Sequence, residues 1–256
     1  MTPIGMFKGE RALVTGSASN IGRAIATALA TEGAHVVLAD VDPMRNADTL
    51  AQIRSAGGTA ETVTVDLSQK DGWKALDAQI AAQPLHMLVH SASPPRKEVD
   101  HLLDVAEETW DGMVTVNVRS GFFLARAAAK RMVRDGIRGR MLFITSLHAE
   151  SPRNLPHYSA SKAAQTMVVK ELARALGPDG IRVNALAPGA IPGGGFNASA
   201  FDFSGKVPMG RLGTAEDLAG PALALLSDRF AGYVTGTTLV VDGGIALFNW
   251  IKPPWA

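Results

Sequence analysis

Apolar residues follow two rhythms along this chain. Short runs of β-branched and other apolar residues recur at 12–14, 36–39, 62–65, 87–90, 141–145, 182–186 and 238–241. Between them lie longer, alanine-rich stretches in which apolar positions return every three to four residues. The short runs predict strands buried on both faces, and the longer stretches predict helices at 21–32, 42–56, 69–82, 107–135, 157–176 and 215–227. Thr214, three residues before Asp217, gives the last helix a start like a capping box, with Asp in place of Glu or Gln. Strands alternating with helices predict an α/β fold: a doubly wound, parallel, seven-stranded sheet with helices on both faces. No repeat, linker or low-complexity tract interrupts the pattern, so 1–256 reads as a single domain.

Two irregular segments, 91–104 and 187–213, follow strand C-termini, the edge at which open α/β sheets bind ligands. The second carries Gly193, Gly194 and Gly195 with Phe196, Phe201 and Phe203. That mixture suits a lid closing over a substrate, and equally an ordinary long loop that packs its aromatics on the surface. The first strand runs into TGSASNIG, Thr15 to Gly22, and then into a helix. Gly16 and Gly22 allow a tight turn and close approach of backbone to a pyrophosphate at the helix N-terminus, where unpaired N–H groups favour negative charge. The second strand ends at Asp40, whose carboxylate can accept hydrogen bonds from an adenosine ribose and repels a 2′-phosphate. The expectation is a Rossmann-type sheet that binds NAD in preference to NADP.

Composition narrows the function classes. The chain has 256 residues, 46% of them apolar, and a mean hydropathy of +0.10, ample for one large core. With 25 basic and 24 acidic residues the formal charge is +1, so no global field recruits nucleic acid or an anionic membrane. Lys130, Arg131, Arg134, Arg138 and Arg140 read as the solvated, charged end of a helix and its turn. The absence of cysteine excludes a disulfide scaffold and thiol chemistry. Met1 to Glu10 is a short mixed leader without the form of a signal peptide, and no apolar run reaches transmembrane length. These features predict a soluble, cytoplasmic protein.

Within the helix at 157–176, Tyr158 and Lys162 stand four residues apart in YSASK, which places them on one face. A neighbouring ammonium favours an ionised phenol, and such a tyrosine is a general acid/base for an alcohol. Alone the pair is no more than a surface pair on a helix. In company it is specific, because the chain resembles the short-chain dehydrogenase/reductase family over nearly its whole length. The resemblance rests on TGSASNIG, Asp66-Leu67 after strand three, Asn117, Ser146 after strand five, YSASK, Pro188-Gly189 after strand six, and VDGG ending at Gly244.

That resemblance implies a catalytic tetrad of Asn117, Ser146, Tyr158 and Lys162. Tyr158 would exchange the proton, Lys162 would support it and hydrogen-bond the nicotinamide ribose, Ser146 would hold the carbonyl oxygen, and Asn117 would fix a helix irregularity and a water. It also implies a cofactor site formed by Gly16, Ser19, Asn20, Ile21, Gly22, Asp40, Asp66, Leu67, His90, Ser91, Ala92, Tyr158, Lys162, Pro188, Gly189 and Ile191. Ser19 and Val41 occupy positions where NADP-selecting members of the family place a basic residue. Three motifs depart from the pattern. Asn20 replaces the middle glycine of the turn, HSAS with His90 and Ser93 replaces the strand-four NNAG, and Gly193 replaces a threonine whose hydroxyl would face the cofactor.

Between Ser146 and Tyr158 lie His148, Glu150, Arg153, Asn154 and His157, a polar rim that favours a polyol, sugar or hydroxy acid. The phenylalanines of the lid could instead wall an apolar pocket. His148 has no carboxylate or second histidine at ligand spacing, so no metal site is expected. The tail, 245–256, carries Phe248, Trp250 and Trp255 and packs against another subunit, over a pocket, or on its own domain. The family resemblance implies a homotetramer built through the helices at 107–135 and 157–176. The resulting expectation is an NAD-dependent oxidoreductase acting on a small polar secondary alcohol. A 3-oxoacyl thioester reductase and a non-catalytic NAD-binding sensor are the alternatives.

Overall fold

Strands and helices alternate as the two hydrophobic rhythms require. The structure, a computed structural model, describes residues 5–95, 102–152, 154–193, 196, 199, 203 and 205–247. The elements are β1 (Arg11–Thr15), α1 (Asn20–Thr31), β2 (His35–Asp40), α2 (Pro43–Ser55), β3 (Thr59–Thr64), α3 (Gly72–Ile80), β4 (Met87–His90) and α4 (Glu107–Met113). A π-helical turn (Val114–Ser120) leads into α5 (Gly121–Arg134), β5 (Arg140–Ile144), α6 (Pro156–Leu176), β6 (Arg182–Pro188), α7 (Ala219–Leu226), α8 (Asp228–Ala231) and β7 (Thr238–Val241). The seven strands form one sheet in the order β3-β2-β1-β4-β5-β6-β7, every pair parallel. Strand order reverses between β1 and β4, so a cleft opens at their C-terminal ends.

Successive strand residues feed two cores. Leu13, Val37, Leu88 and Phe143 pack on one face with Leu76 of α3, Leu124 of α5 and Val169 of α6. Val14, Val36, Leu38 and Leu142 pack on the other with Ile25 and Leu29 of α1 and Leu225 of α7. Period-two alternation between two apolar layers is why the central strands read as unbroken apolar runs.

Three expectations are adjusted. β3 occupies 59–64 rather than 62–65, because it is an edge strand in which the exposed Thr59, Thr62 and Thr64 interrupt the apolar signal. The helix expected at 107–135 is divided into α4 and α5 by a π turn around Asn117, where an irregularity was expected. The helix expected from 215 starts as a 3₁₀ turn at Glu216–Leu218, where the Asp217 carboxylate accepts from the Thr214 N–H at 2.8 Å.

The basic cluster also divides. Lys130, Arg134 and Arg138 are exposed, but Arg131 and Arg140 are buried, which corrects their reading as solvated. Arg11, Arg140 and Arg182 open β1, β5 and β6 and bond the last carbonyls of neighbouring helices. Arg11 donates to Ile80 O at 3.1 Å, Arg140 to Leu226 O at 2.9 Å and Arg182 to Leu225 O at 2.7 Å. Arg131 adds a second donor to Ile80 O at 3.0 Å. These guanidinium groups satisfy orphan carbonyls and complement the negative ends of α3 and α7. No helix among the described residues is long and apolar enough to cross a membrane.

Candidate active site

The cleft at the strand C-termini is shaped first by glycine. Gly16 has φ +71°, and a methyl group on it would stand 2.8 Å from Ala92 Cα; one on Gly22 would stand 2.0 Å from Gly16 O. Both positions therefore exclude any larger residue. Ser19 precedes α1 in an extended conformation without a side-chain cap, so the first N–H groups of α1 remain available to an anion. Ile21 packs into the core below. The turn is braced from α2: Ser17 Oγ donates to Asn46 Oδ1 at 2.8 Å, Asn46 Nδ2 to Leu38 O at 2.9 Å, and Thr49 Oγ1 to Ser17 O at 3.1 Å.

Asp40, at the end of β2, turns its carboxylate onto the same turn, accepting from Ala18 N at 2.9 Å and Asp42 N at 3.0 Å. Asp66 accepts from the Ser68 backbone and hydroxyl and from Gln69, bonds that hold its carboxyl below the usual range. Leu67 is buried and its carbonyl accepts from Ser120 Oγ at 2.9 Å. Beyond β6, a methyl group on Gly189 would stand 2.7 Å from Asp242 Cα, so Pro188 and Gly189 carry the chain tightly beside the loop after β7, and Ile191 is buried. Two glycines permitting close backbone approach, an uncapped helix N-terminus and a carboxylate at the next strand end fit a dinucleotide's pyrophosphate and adenosine ribose.

His90 ends β4 fully buried. Thr15 Oγ1 lies 3.0 Å from its Nδ1, while Nε2 lies 3.1 Å from Val116 O in the π turn. The same Thr15 oxygen accepts from the N–H groups of Ser91 at 3.2 Å and Ala92 at 3.3 Å, so its own proton points to the imidazole. Burial, and next the charge of Lys162, lower the pKa of His90 to about 4.

Tyr158, Lys162 and their neighbours converge from β5, the π turn and α6. Lys162 is buried and donates from Nζ to Ile144 O at 2.8 Å, with Nζ 5.5 Å from the centroid of the Tyr158 ring. Asn117 donates from Nδ2 to Ser161 Oγ at 2.9 Å, Ser161 Oγ donates to Tyr158 O at 2.8 Å, and Gln165 Nε2 donates to Asn117 O at 2.8 Å. Ser146 is buried after β5, and its Oγ accepts from His148 N at 3.2 Å. His148 in turn meets the Tyr158 ring edge-on, centroids 5.2 Å apart.

Of the expected polar rim, His148 is brought against Tyr158 in this way. Glu150 and Asn154 are exposed, and Arg153 lies outside the described residues. His157 is wholly buried in α6, which corrects its place in a rim. Phe196 exchanges backbone hydrogen bonds with Gly193 and packs edge-on against Phe203, centroids 5.8 Å apart; Gly194, Gly195, Phe201 and the aromatic tail from 248 lie outside the described residues. Among the described residues no three His, Cys, Asp or Glu side chains group as metal ligands.

A family model described as enoyl-(acyl carrier protein) reductase matches residues 16–246. Glucose 1-dehydrogenase 2 of Bacillus subtilis is 36% identical over 250 residues, 94% of this chain and 96% of that protein. The (3R)-3-hydroxyacyl-CoA dehydrogenase of Mus musculus is 34% identical over 254 residues, 93% of this chain and 97% of that one. Among solved structures, a putative NAD(P)-dependent gluconate 5-dehydrogenase from Beutenbergia cavernae with bound NADP superposes with a TM-score of 0.88 at 32% identity, covering 94% of this chain and 98% of its own. The chain belongs to the short-chain dehydrogenase/reductase family. It is accordingly an oxidoreductase on a Rossmann-type sheet.

Within that family frame, several residues that complete the site had not been singled out. Ser161 and Gln165 share the helical face of Tyr158 and Lys162, at the i+3 and i+7 spacings, and that period was a usable signal. Thr15 carried one too, as the last residue of the first strand. Asn46 and Thr49 carried none, since polar residues in a polar helix read as solvated until the fold buries them.

Proposed function

We propose that this family member is an NAD-dependent oxidoreductase that interconverts a small, polar secondary alcohol (a polyol, sugar or hydroxy acid) and its ketone. The observation that carries the reading is the pairing of Tyr158 with Lys162, whose ammonium is fixed by Ile144 O on the ring side of the phenol. A bound nicotinamide would supply the hydride acceptor in oxidation and the donor in reduction. In oxidation Tyr158 takes the proton of the substrate hydroxyl, and in reduction it returns one to the forming alkoxide. Lys162 stabilises the phenolate that results, and Ser146 donates to the substrate oxygen where charge develops. Asn117 holds the π turn against α6 through Ser161 and so keeps Tyr158 and Lys162 in register.

Asp40 supports NAD: a carboxylate held at the end of β2 by the Ala18 and Asp42 N–H groups would repel a 2′-phosphate on an adenosine ribose bound there, and neither Ser19 nor Val41 offers a compensating cation. The Beutenbergia structure carries NADP, and parallel assays with NAD and NADP test the preference in this chain. Relatives named glucose 1-dehydrogenase and putative gluconate 5-dehydrogenase, with His148 against Tyr158, favour a polar substrate. The Phe196–Phe203 pair, beside hydroxyacyl-CoA dehydrogenases among the relatives, favours the second reading, an acyl thioester.

An apolar groove of about 540 Å³ between α5 and α6, lined by Phe122, Val133, Leu172 and Leu176 among others, supports assembly through these helices as a homotetramer. A lid spanning 187–213 and a cytoplasmic location complete the reading. The test is nicotinamide reduction with NAD and with NADP across polyols, sugars, hydroxy acids and 3-hydroxyacyl thioesters, with Tyr158→Phe as control. Tyrosine-dependent NAD reduction on a polar alcohol is expected. Exclusive activity on thioesters would replace the substrate assignment, and NAD binding without turnover on any alcohol would replace the enzyme with a sensor.

A further inference from the structure

Two of the three departures from the family pattern touch each other. Asn20, the first residue of α1, holds φ +48°, a conformation in which glycine is at ease and a side chain is uncommon. Across the cleft Gly193 has φ +112°, and a methyl group built on it would stand 2.8 Å from Asn20 Nδ2 and 3.1 Å from Asn20 Cγ. The carboxamide of Asn20 thus fills the space that a side chain at 193 would take. Where the turn gains a side chain the facing loop has lost one, and a hydrogen-bonding group remains in the gap.

Asn20 also stands where the positive end of α1 and the uncapped N–H groups converge. An amide N–H there adds a charge-assisted donor for an anion. We infer that Asn20 is a cofactor-positioning residue whose Nδ2 donates to the pyrophosphate of the dinucleotide, taking over from the turn a hydroxyl contact that Gly193 cannot make. The inference rests on the proposed dinucleotide site. It has a second consequence: a side chain at 193, already strained by φ +112°, would also have to push the Asn20 carboxamide aside, which couples the Gly193–Phe196 backbone pairing to the conformation of Asn20.

Four variants of the full chain separate these effects: Asn20→Asp, Asn20→Gly, Gly193→Thr and the double Asn20→Gly/Gly193→Thr. Each is read by the dissociation constant for NAD from titration calorimetry and by the melting temperature without cofactor. Asn20→Asp keeps the shape, removes the donor and adds a negative charge. It should weaken NAD binding by more than about 10-fold while the cofactor-free melting temperature stays put, since a hydrogen bond to a charged group is worth roughly that much or more. Asn20→Gly should lose about 10-fold in affinity without loss of melting temperature. Gly193→Thr should lower the melting temperature more beside Asn20 than beside Gly, and the double variant should recover part of the affinity lost in Asn20→Gly.

Wild-type affinity in both Asn20 variants, or additive effects of the two positions, would overturn the inference and leave the proposed enzyme standing. Absence of NAD and NADP binding to the unaltered chain would overturn both.

Discussion

The hydroxyl of Thr15 donates to Nδ1 of His90 across 3.0 Å, which leaves Nε2 as the protonated nitrogen facing Val116 O at 3.1 Å and fixes the ring as the neutral tautomer. A buried, neutral imidazole makes the fold acid-sensitive. The folded ring resists protonation down to about pH 4, whereas the free ring protonates near 6.5. Between those values the unfolded chain binds a proton that the folded chain does not. Stability is therefore complete above 6.5, falls as pH drops, and levels off below the folded pKa, with a total loss of about 3 kcal/mol. Urea unfolding of the wild type and of His90→Asn at neutral pH and near pH 5 checks this; an equal acid-side loss in both proteins would show that His90 is not the source.

Gly121 opens α5 directly against that ring: a methyl group on it would stand 2.7 Å from His90 Cδ2 and 3.1 Å from a ring carbon of Phe143. Gly121→Ala should cost about 1–3 kcal/mol through overpacking. In a His90→Asn background the smaller side chain yields, and most of the penalty should vanish. A double-mutant cycle by chemical denaturation measures the coupling, and additivity would show that the ring is free to move aside.

Tyr158→Phe removes one oxygen and leaves the ring that Lys162 and His148 contact. Turnover should fall about 100- to 10,000-fold, the usual worth of general acid/base catalysis, while NAD affinity changes little. Single-turnover kinetics beside direct binding makes the distinction. Retained turnover would move the proton-transfer role to another group.

Asp40→Ala frees the Ala18 and Asp42 N–H groups and removes the charge proposed to face the ribose. NAD affinity should fall about 10- to 100-fold, the worth of hydrogen bonds to a charged group, and the ratio of NADP to NAD affinity should rise. Parallel titrations with the two cofactors read both quantities. An unchanged ratio would show that this carboxylate serves the turn alone.

The sheet was legible because buried parallel strands write continuous apolar runs, and the tight turn at 16–22 because its glycines mark a close approach of backbone that excludes any larger residue. β3 was displaced in the reading because an edge strand shares its apolar content with solvent-facing threonines. The charged residues were read least well, and for one reason. Arg131, Arg140 and His157 look solvated in sequence, and only the packing of distant elements supplies the Asp77, Glu10 and carbonyl partners, or the enclosure, that bury them. Asn20 and Gly193 were each recognisable as departures, but 173 positions separate them and only the fold shows that they meet.

The row of guanidinium groups at the strand N-termini has an evolutionary reading. Arg11, Arg140 and Arg182 fasten helix ends to the sheet at the rim opposite Tyr158 and the glycine turn, so the fastening and the chemistry draw on different stretches of sequence. Loops at the reactive rim can be rewritten, and new alcohols admitted, without loosening the joints that hold the layers together.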